Sequence, residues 1–183
     1  MKEKDIIDGC IKGIRNAQKA LYAEYGPRLM VTCIRYSGNR EDAEEIFHDT
    51  MMKVYENIKK FKGESSLKTW VNRVGVNTAL DFLRKRKNAL MVEHISDTAL
   101  EITDTEVEVE IDMDAKVAMQ ILKQLPLNQQ IIINMYLLDD MSHREIALQL
   151  NISEEASRSQ YSRAKRHLTE LVKLKLNKNE QER

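Results

Sequence analysis

The sequence predicts an all-α protein in which a flexible acidic linker joins two small helical domains. The 183-residue chain has only two prolines and six glycines, and 32% of its residues are charged, a composition typical of helical proteins. Apolar residues recur every three to four positions in two stretches. Between these stretches, residues 93–115 contain nine acids and no base. We therefore place the domains at residues 1–92 and 116–183.

The first two helices are predicted on either side of a Gly-Pro pair at residues 26–27. Proline has no amide hydrogen and disfavours helical conformation in the residue before it, so the first helix should end there. The second helix should cover residues 28–37. The apolar face of the first helix is predicted to comprise Ile7, Ile11, Ile14, Ala17 and Leu21.

The third and fourth helices complete a four-helix first domain. Helical spacing predicts the third over residues 41–60. The fourth should cover residues 67–87, with Ser65 or Ser66 as its N-cap. The buried face of the third helix is predicted to comprise Ala43, Ile46, Phe47, Met51, Val54 and Ile58.

The second domain has the pattern of a helix-turn-helix. One helix should end at Pro126 and another should cover residues 128–138. Ser142 and Glu145 have the spacing of a capping box, which predicts the start of a further helix. Residues 151–153 form a short turn, and a long basic helix follows. Between residues 88 and 114, acids alternate with Ile and Val, and this alternation allows a strand. Because the segment is so acidic and has no partner strand, a flexible linker is favoured.

The sequence argues against several classes of function. There is no nucleophile-base pair, phosphate-binding loop or cluster of metal ligands, so we expect no catalysis, no cofactor and no metal. Cys10 and Cys33 are interpreted as reduced core residues. No apolar run is long enough to span a membrane and no signal peptide is recognisable, which predicts a cytoplasmic protein.

Charge is unevenly distributed, although the net charge of the chain is zero. Residues 1–92 carry 18 Lys and Arg against 12 acids, and residues 116–183 carry 11 against 8. Two basic domains separated by an acidic connector indicate different partners for different segments.

The last long helix is predicted to read duplex DNA. Ser153 should cap it, and its basic face has no obvious acidic partner on the same helix. A solvated charged face is the alternative interpretation. Ala156, Tyr161, Ala164 and Leu168 are expected to face inward. Glu154 and Glu155 could accept hydrogen bonds from cytosine amino groups. Their alternative role is to compensate the dipole at the amino end of the helix. The candidate DNA-binding residues are Arg158, Ser159, Ser162, Arg163, Lys165 and Arg166.

The first domain contains a second candidate DNA site, suited to single strands. A polar loop leads into a helix with aromatic, small polar and cationic residues, which unstacked bases require. Trp70 alone would more often be a core residue. The candidate residues are Phe61, Lys62, Gly63, Glu64, Ser65, Ser66, Lys68, Trp70, Arg73 and Asn77, with Arg84 and Lys85 suited to phosphates.

Three runs of residues resemble the second conserved region of the extracytoplasmic-function group of bacterial sigma factors. They are Asp42-Ala43-Glu44-Glu45-Ile46, residues 61–70 and residues 77–87. Leu125-Pro126 and residues 142–168 resemble the fourth conserved region of the same group. The chain departs from the group's usual residues at His48, at Met51 and at residues 155–157.

The resemblance implies roles for these segments. Asp42, Glu45, His48 and Asp49 would dock on core RNA polymerase. Residues 61–66 would capture a flipped base of the minus-ten promoter element, and Asn77 would read a neighbouring melted base. The helix-turn-helix would read the minus-thirty-five element. An anti-sigma factor is a further candidate partner.

Two rival functions and two roles for the linker stay open at this point. A helix-turn-helix regulator with a ligand-sensing first domain, or a catalytic helical protein, would not bind core polymerase. The resemblance implies that the linker follows the RNA path of the polymerase, and its carboxylates have the same charge as RNA. The alternative is a solvated tether that keeps the domains soluble and apart.

Overall fold

The computed structural model describes residues 1–86 and 115–181, which belong to two compact units. Every regular element within these two ranges is helical, which confirms the predicted fold class. The predicted linker lies outside the described residues except for Ala115. The first unit contains α1 (Glu3–Ile11), α2 (Arg15–Ser37), α3 (Arg40–Asn57), a 3-10 turn (Ile58–Lys60) and α4 (Leu67–Arg86).

The prediction for the first two helices is wrong in its boundaries. The chain breaks after α1, where Gly13 has a φ of +69°, a conformation that favours glycine. The chain then folds back, and Gly9 of α1 packs against Ala17 of α2. The predicted single apolar face is therefore divided between two helices: Ile7 and Ile11 lie in α1, Ala17 and Leu21 in α2, and Ile14 is the N-cap of α2. Ile11 and Ile14 are exposed, contrary to the prediction.

Helix α2 continues through the Gly26-Pro27 pair, where the sequence predicted an end. Gly26 has no Cβ to clash with the proline ring. It lies beside Phe47 of α3, because a Cβ added at Gly26 would be 3.6 Å from the Phe47 Cζ. Leu21 and Leu29, on either side of the pair, are buried, and Leu29 lies against Gly75 of α4. Tertiary packing therefore outweighs the hydrogen bond lost at proline.

The contact between Gly9 and Ala17 leads to a stability prediction. A Cβ added at Gly9 would lie 2.4 Å from the Ala17 Cβ, and no side-chain rotation can relieve a contact between two Cβ atoms. Gly9→Ala should destabilise the first unit by about 1–2 kcal/mol, because overpacking outweighs the gain in helix propensity. Urea unfolding measures this loss, and adding Ala17→Gly should recover part of it. Additive effects of the two substitutions would contradict the assigned contact.

The core of the first unit lies between α2, α3 and α4. All six residues predicted for the buried face of α3 are buried. Gly75 of α4 lies directly against Leu29 of α2, so these two helices approach closely. Cys10 and Cys33 are free and buried, as predicted, and burial raises the pKa of Cys33 to about 12. Its thiol therefore stays protonated and packs as an apolar group.

The second unit places a helix-turn-helix on a small apolar core. It contains α5 (Ala115–Leu122), α6 (Leu127–Ile133), a π-helical turn (Asn134–Leu138), α7 (His143–Leu150) and α8 (Glu154–Gln181). The capping box that starts α7 is present, with the Glu145 amide donating to the Ser142 hydroxyl. Asn151 ends α7 in the left-handed conformation, so the turn to α8 is tight. The core is formed by Ile121, Ile132, Ile133, Met135, Ile146 and Ala164.

Candidate functional site

The loop at residues 61–66 is attached to the start of α4 by an aromatic contact. The ring centroids of Phe61 and Trp70 lie 5.6 Å apart, and both side chains are half-buried. Gly63 turns the loop with a φ of +73°. Ser66 is the N-cap of α4, because its Oγ accepts from the Thr69 amide at 3.1 Å. The loop therefore has fixed ends and a solvent-facing centre.

The remaining candidate residues for single-strand binding lie in this loop or along α4. Trp70, Arg73 and Asn77 recur at helical spacing on α4, and each is half-buried. The Asn77 Oδ1 is buried and has no hydrogen-bond partner among the described residues. An unsatisfied buried carbonyl oxygen is costly, so this amide gains from any conformation that exposes it to a donor. The exposed candidates are Lys62, Gly63, Glu64, Ser66 and Lys68, and Ser65 is half-buried.

The basic end of α4 is partly neutralised within the fold. Arg84 pairs with Asp81 at 3.1 Å. Arg86 contacts the Asp42 carboxylate and lies over the Phe82 ring. Lys85 is exposed, and its ammonium group has no ion pair or hydrogen bond in residues 1–86 or 115–181. Of the predicted phosphate-binding pair Arg84 and Lys85, Lys85 is therefore the more available cation.

The predicted polymerase-docking residues lie on α3, but they are not equivalent. Glu45, His48 and Asp49 are exposed on one face, which we call the acidic face of α3. The side chain of Asp42 is only 14% exposed. A hydrogen bond from Asn39 and the Arg86 guanidinium lower the pKa of Asp42. Asp42 therefore accepts a hydrogen bond from Asn39, the N-cap of α3, and ties this end of α3 to the end of α4.

Met52 extends the acidic face of α3 and was not predicted from the sequence. It lies four residues after His48 and three after Asp49, and it is 61% exposed. Helical spacing could have placed it there, but a methionine in a helix is more often a core residue. The face therefore combines two carboxylates with an exposed apolar side chain.

The start of α8 is held by a buried polar contact that sequence reasoning missed. The His143 Nδ1 of α7 lies 2.9 Å from the Ser157 Oγ of α8, and the two residues are 9% and 0% exposed. The His143 ring stacks on Tyr136 at 4.5 Å. Ser157 shares its face with Tyr161, Ala164 and Leu168. This four-three-four spacing indicates that Ser157 faces inward. Ala156, which was predicted to face inward, is only half-buried, so that prediction is wrong.

Because His143 is buried, the stability of the second unit should depend on pH. Burial and the nearby Arg158 lower the His143 pKa below its ordinary value of 6.5, while Glu154 opposes the shift. The unfolded chain then binds the proton more tightly, so stability is fully present above pH 6.5 and is lost as pH falls through the folded-state pKa. His143→Gln, which cannot titrate, should lose this dependence. Urea unfolding at several pH values checks it, and parallel pH profiles would contradict it.

The outward face of α8 carries the predicted duplex-reading residues, with one correction. Arg158 does have an acidic partner on its own helix, because its Nη2 lies 2.6 Å from the Glu154 Oε1. Arg163 donates to the Ser159 hydroxyl at 3.2 Å. Arg166 is exposed, and Ser162 and Lys165 are half-buried. The Ser153 hydroxyl accepts from the Ala156 amide at 3.0 Å, so the predicted cap is present.

The described ranges contain neither a group of metal ligands nor a membrane-spanning helix. Among residues 1–86 and 115–181, no three His, Cys, Asp or Glu side chains are grouped so that they could hold a metal ion. None of the helices described in these ranges is long and apolar enough to cross a membrane.

Two family models match the chain. The model for sigma-70 region 2 matches residues 21–89, and the model for sigma-70 region 4 matches residues 116–168. The first match contains the acidic face of α3, the loop at residues 61–66 and α4. The second contains the helix-turn-helix, so the matches fall on the two candidate DNA-binding segments in chain order.

Curated relatives match the chain over different lengths. SigG of Mycobacterium tuberculosis, an ECF RNA polymerase sigma factor, is 35% identical over 63 residues, which are 34% of this chain and 17% of SigG. The RNA polymerase sigma factor NccH of Alcaligenes xylosoxydans xylosoxydans is 27% identical over 170 residues, which are 88% of this chain and 89% of NccH. The chain thus spans a small part of SigG and most of NccH.

Solved structures with the same fold are also similar to this chain. The sigma factor RpoE of Bartonella quintana, in complex with the anti-sigma factor NepR, has a TM-score of 0.58 and 23% identity, covering 85% of this chain and 96% of RpoE. CnrH, in complex with the cytosolic domain of CnrY, has a TM-score of 0.57 and 18% identity, covering 94% of this chain and 97% of CnrH. At these identities the likeness is one of fold.

Proposed function

Since this chain belongs to the extracytoplasmic-function group of bacterial sigma factors, we propose that it binds core RNA polymerase, directs it to particular promoters and promotes their melting. The observation that carries the proposal is the presence, in one chain, of a region 2 with an exposed acidic helix face and a polar loop, followed by a region 4 with a helix-turn-helix. A protein that works with RNA polymerase and promoter DNA acts in the cytoplasm.

The proposed mechanism uses binding energy and makes or breaks no covalent bond. The acidic face of α3 docks on the polymerase. The loop at residues 61–66 then accepts a base flipped from the minus-ten element, which offsets an unstacking cost of a few kcal/mol. The Phe61 and Trp70 rings supply apolar surface beside the loop, and Lys62 and Lys68 supply exposed positive charge for the strand.

Duplex recognition is assigned to the outward face of α8. In a helix-turn-helix, the amino-terminal residues of the second helix reach base edges in the major groove. Ser159, Ser162 and Arg163 are suited to this, and Arg158 becomes available when its exposed pair with Glu154 opens. Exposed ion pairs of this kind contribute little to stability, so a guanine or a phosphate can compete for Arg158.

An anti-sigma factor is proposed as a further partner, because the two similar structures contain protein partners, one of them named as an anti-sigma factor. The experiment that tests the main proposal is run-off transcription with core polymerase on genomic fragments. We expect transcripts that depend on this chain and begin at a shared promoter motif. A chain that binds DNA but neither joins the polymerase nor initiates transcription would be a separate helix-turn-helix regulator.

A further inference from the structure

Two consecutive glutamates begin α8, and the structure places them in different surroundings. Glu154 is half-buried and pairs with Arg158 at 2.6 Å. Glu155 is exposed, and its carboxylate has no hydrogen bond or ion pair with any residue in the described ranges. The Glu155 carboxylate can therefore meet a partner from outside the chain without breaking an ion pair, whereas the Glu154 carboxylate cannot.

Glu155 lies on the side of α8 that faces away from the core. Helical spacing aligns it with Arg158, Ser159 and Ser162, three, four and seven residues later. The opposite side is marked by Ser157 and Ala164, which are fully buried. Glu155 is thus a first-turn residue on the face that we assign to the major groove, where such residues reach base edges.

A carboxylate in the major groove has a narrow choice of base. It can only accept hydrogen bonds, so the oxygens of guanine and thymine repel it. Adenine has an amino donor, but the N7 acceptor lies beside it. Cytosine presents an amino donor without an adjacent acceptor, and acidic side chains pair with it in this groove.

We propose that Glu155 selects a cytosine in the duplex element read by α8. This inference rests on the proposed function and adds a base preference to it. At a site without the cytosine, the Glu155 carboxylate has no hydrogen-bond donor and is repelled by the DNA phosphates, so binding is weaker there. Glu155 therefore contributes specificity by disfavouring such sites. Compensation of the helix dipole is a separate effect, because it needs only a negative charge in the first turn, which Glu154 also supplies.

The test selects duplex sites from a pool randomised over the minus-thirty-five element, with holoenzyme made from full-length chain and core polymerase. Wild-type sites should share one cytosine that is preferred by roughly 5- to 150-fold. Glu155→Ala should lose the preference at that position only. Glu155→Gln should move it to adenine, because glutamine pairs with the adenine N6 and N7.

Two controls complete the design. Glu170→Gln removes the same charge from an exposed position late in α8, and Glu154→Gln removes it from the neighbouring residue. Both should keep the cytosine. The inference is overturned if Glu155→Gln and Glu155→Ala select the wild-type motif, even when their melting temperatures change. A failure of the proposed function would look different, because wild-type chain would then select no motif or form no holoenzyme.

Discussion

Replacing Glu45 and Asp49 together with lysine should abolish association with core RNA polymerase, with a loss of at least about 100-fold in affinity. The two residues lie one turn apart on the acidic face of α3 and are exposed. A surface that complements two carboxylates would then face two ammonium groups, and like charges brought together cost several kcal/mol. Gel filtration with core enzyme and a competition assay measure the loss. Far-ultraviolet circular dichroism should be unchanged.

The matched control makes the same change in charge elsewhere in the first unit. Asp8 and Glu24 are exposed on α1 and α2, and replacing both with lysine should leave polymerase binding within about threefold of wild type. Asp42→Asn forms a separate arm. This substitution should lower the free energy of unfolding of the first unit and change polymerase affinity little, because the carboxylate contacts Asn39 and Arg86 within the fold. Equal losses in the Glu45/Asp49 variant and the Asp8/Glu24 control would refute a local docking surface.

Phe61→Ala should leave polymerase binding intact and reduce promoter opening by roughly 5- to 150-fold, the range expected for losing one stacked aromatic contact of about 1–3 kcal/mol. Phe61 lies where the loop at residues 61–66 meets Trp70, so its removal also loosens the loop. Permanganate reactivity of unpaired thymines measures opening. Run-off transcription on the same promoter should fall in parallel.

Tyr22→Ala is the control for Phe61→Ala. Tyr22 is an aromatic residue of the same unit, 51% exposed, and it contacts Phe47 away from the loop. Its removal should leave opening close to the wild-type level. Normal opening in Phe61→Ala would exclude the loop from base capture, and reduced polymerase binding in that variant would show that docking and opening are not separate.

Local signals accounted for the elements that were predicted correctly. The capping box of Ser142 and Glu145, the Ser153 cap and the buried face of α3 depend on residues within one or two turns of each other. Such interactions recur whenever the same residues occur at the same spacing, so they can be read without knowing the neighbours. The order of region 2 and region 4 along the chain could be predicted for the same reason.

For the candidate site, the sequence indicated segments and helix faces but few of the contacts that the structure shows within them. The sequence indicated a basic face on α8, but a glutamate four residues before an arginine pairs with it in a helix, and this spacing was overlooked for Glu154 and Arg158. The contact between His143 and Ser157 joins two helices across 14 positions. The spacing of Ser157 indicates that it faces inward, but the spacing does not indicate that its partner is His143.

The sequence by itself determined the class of fold, the family and the positions of the helix-turn-helix and the polar loop, because these depend on periodicity and on motifs within short segments. Only the tertiary structure decided that α2 continues through Pro27, that Asp42 ties α3 to α4 and that Glu155 is free while Glu154 is paired. The physical reason is that burial and distant partners set these outcomes. Burial of Leu21 and Leu29 stabilises α2 where local preference would end it. Arg86, 44 positions away in the sequence, donates a hydrogen bond to the Asp42 carboxylate.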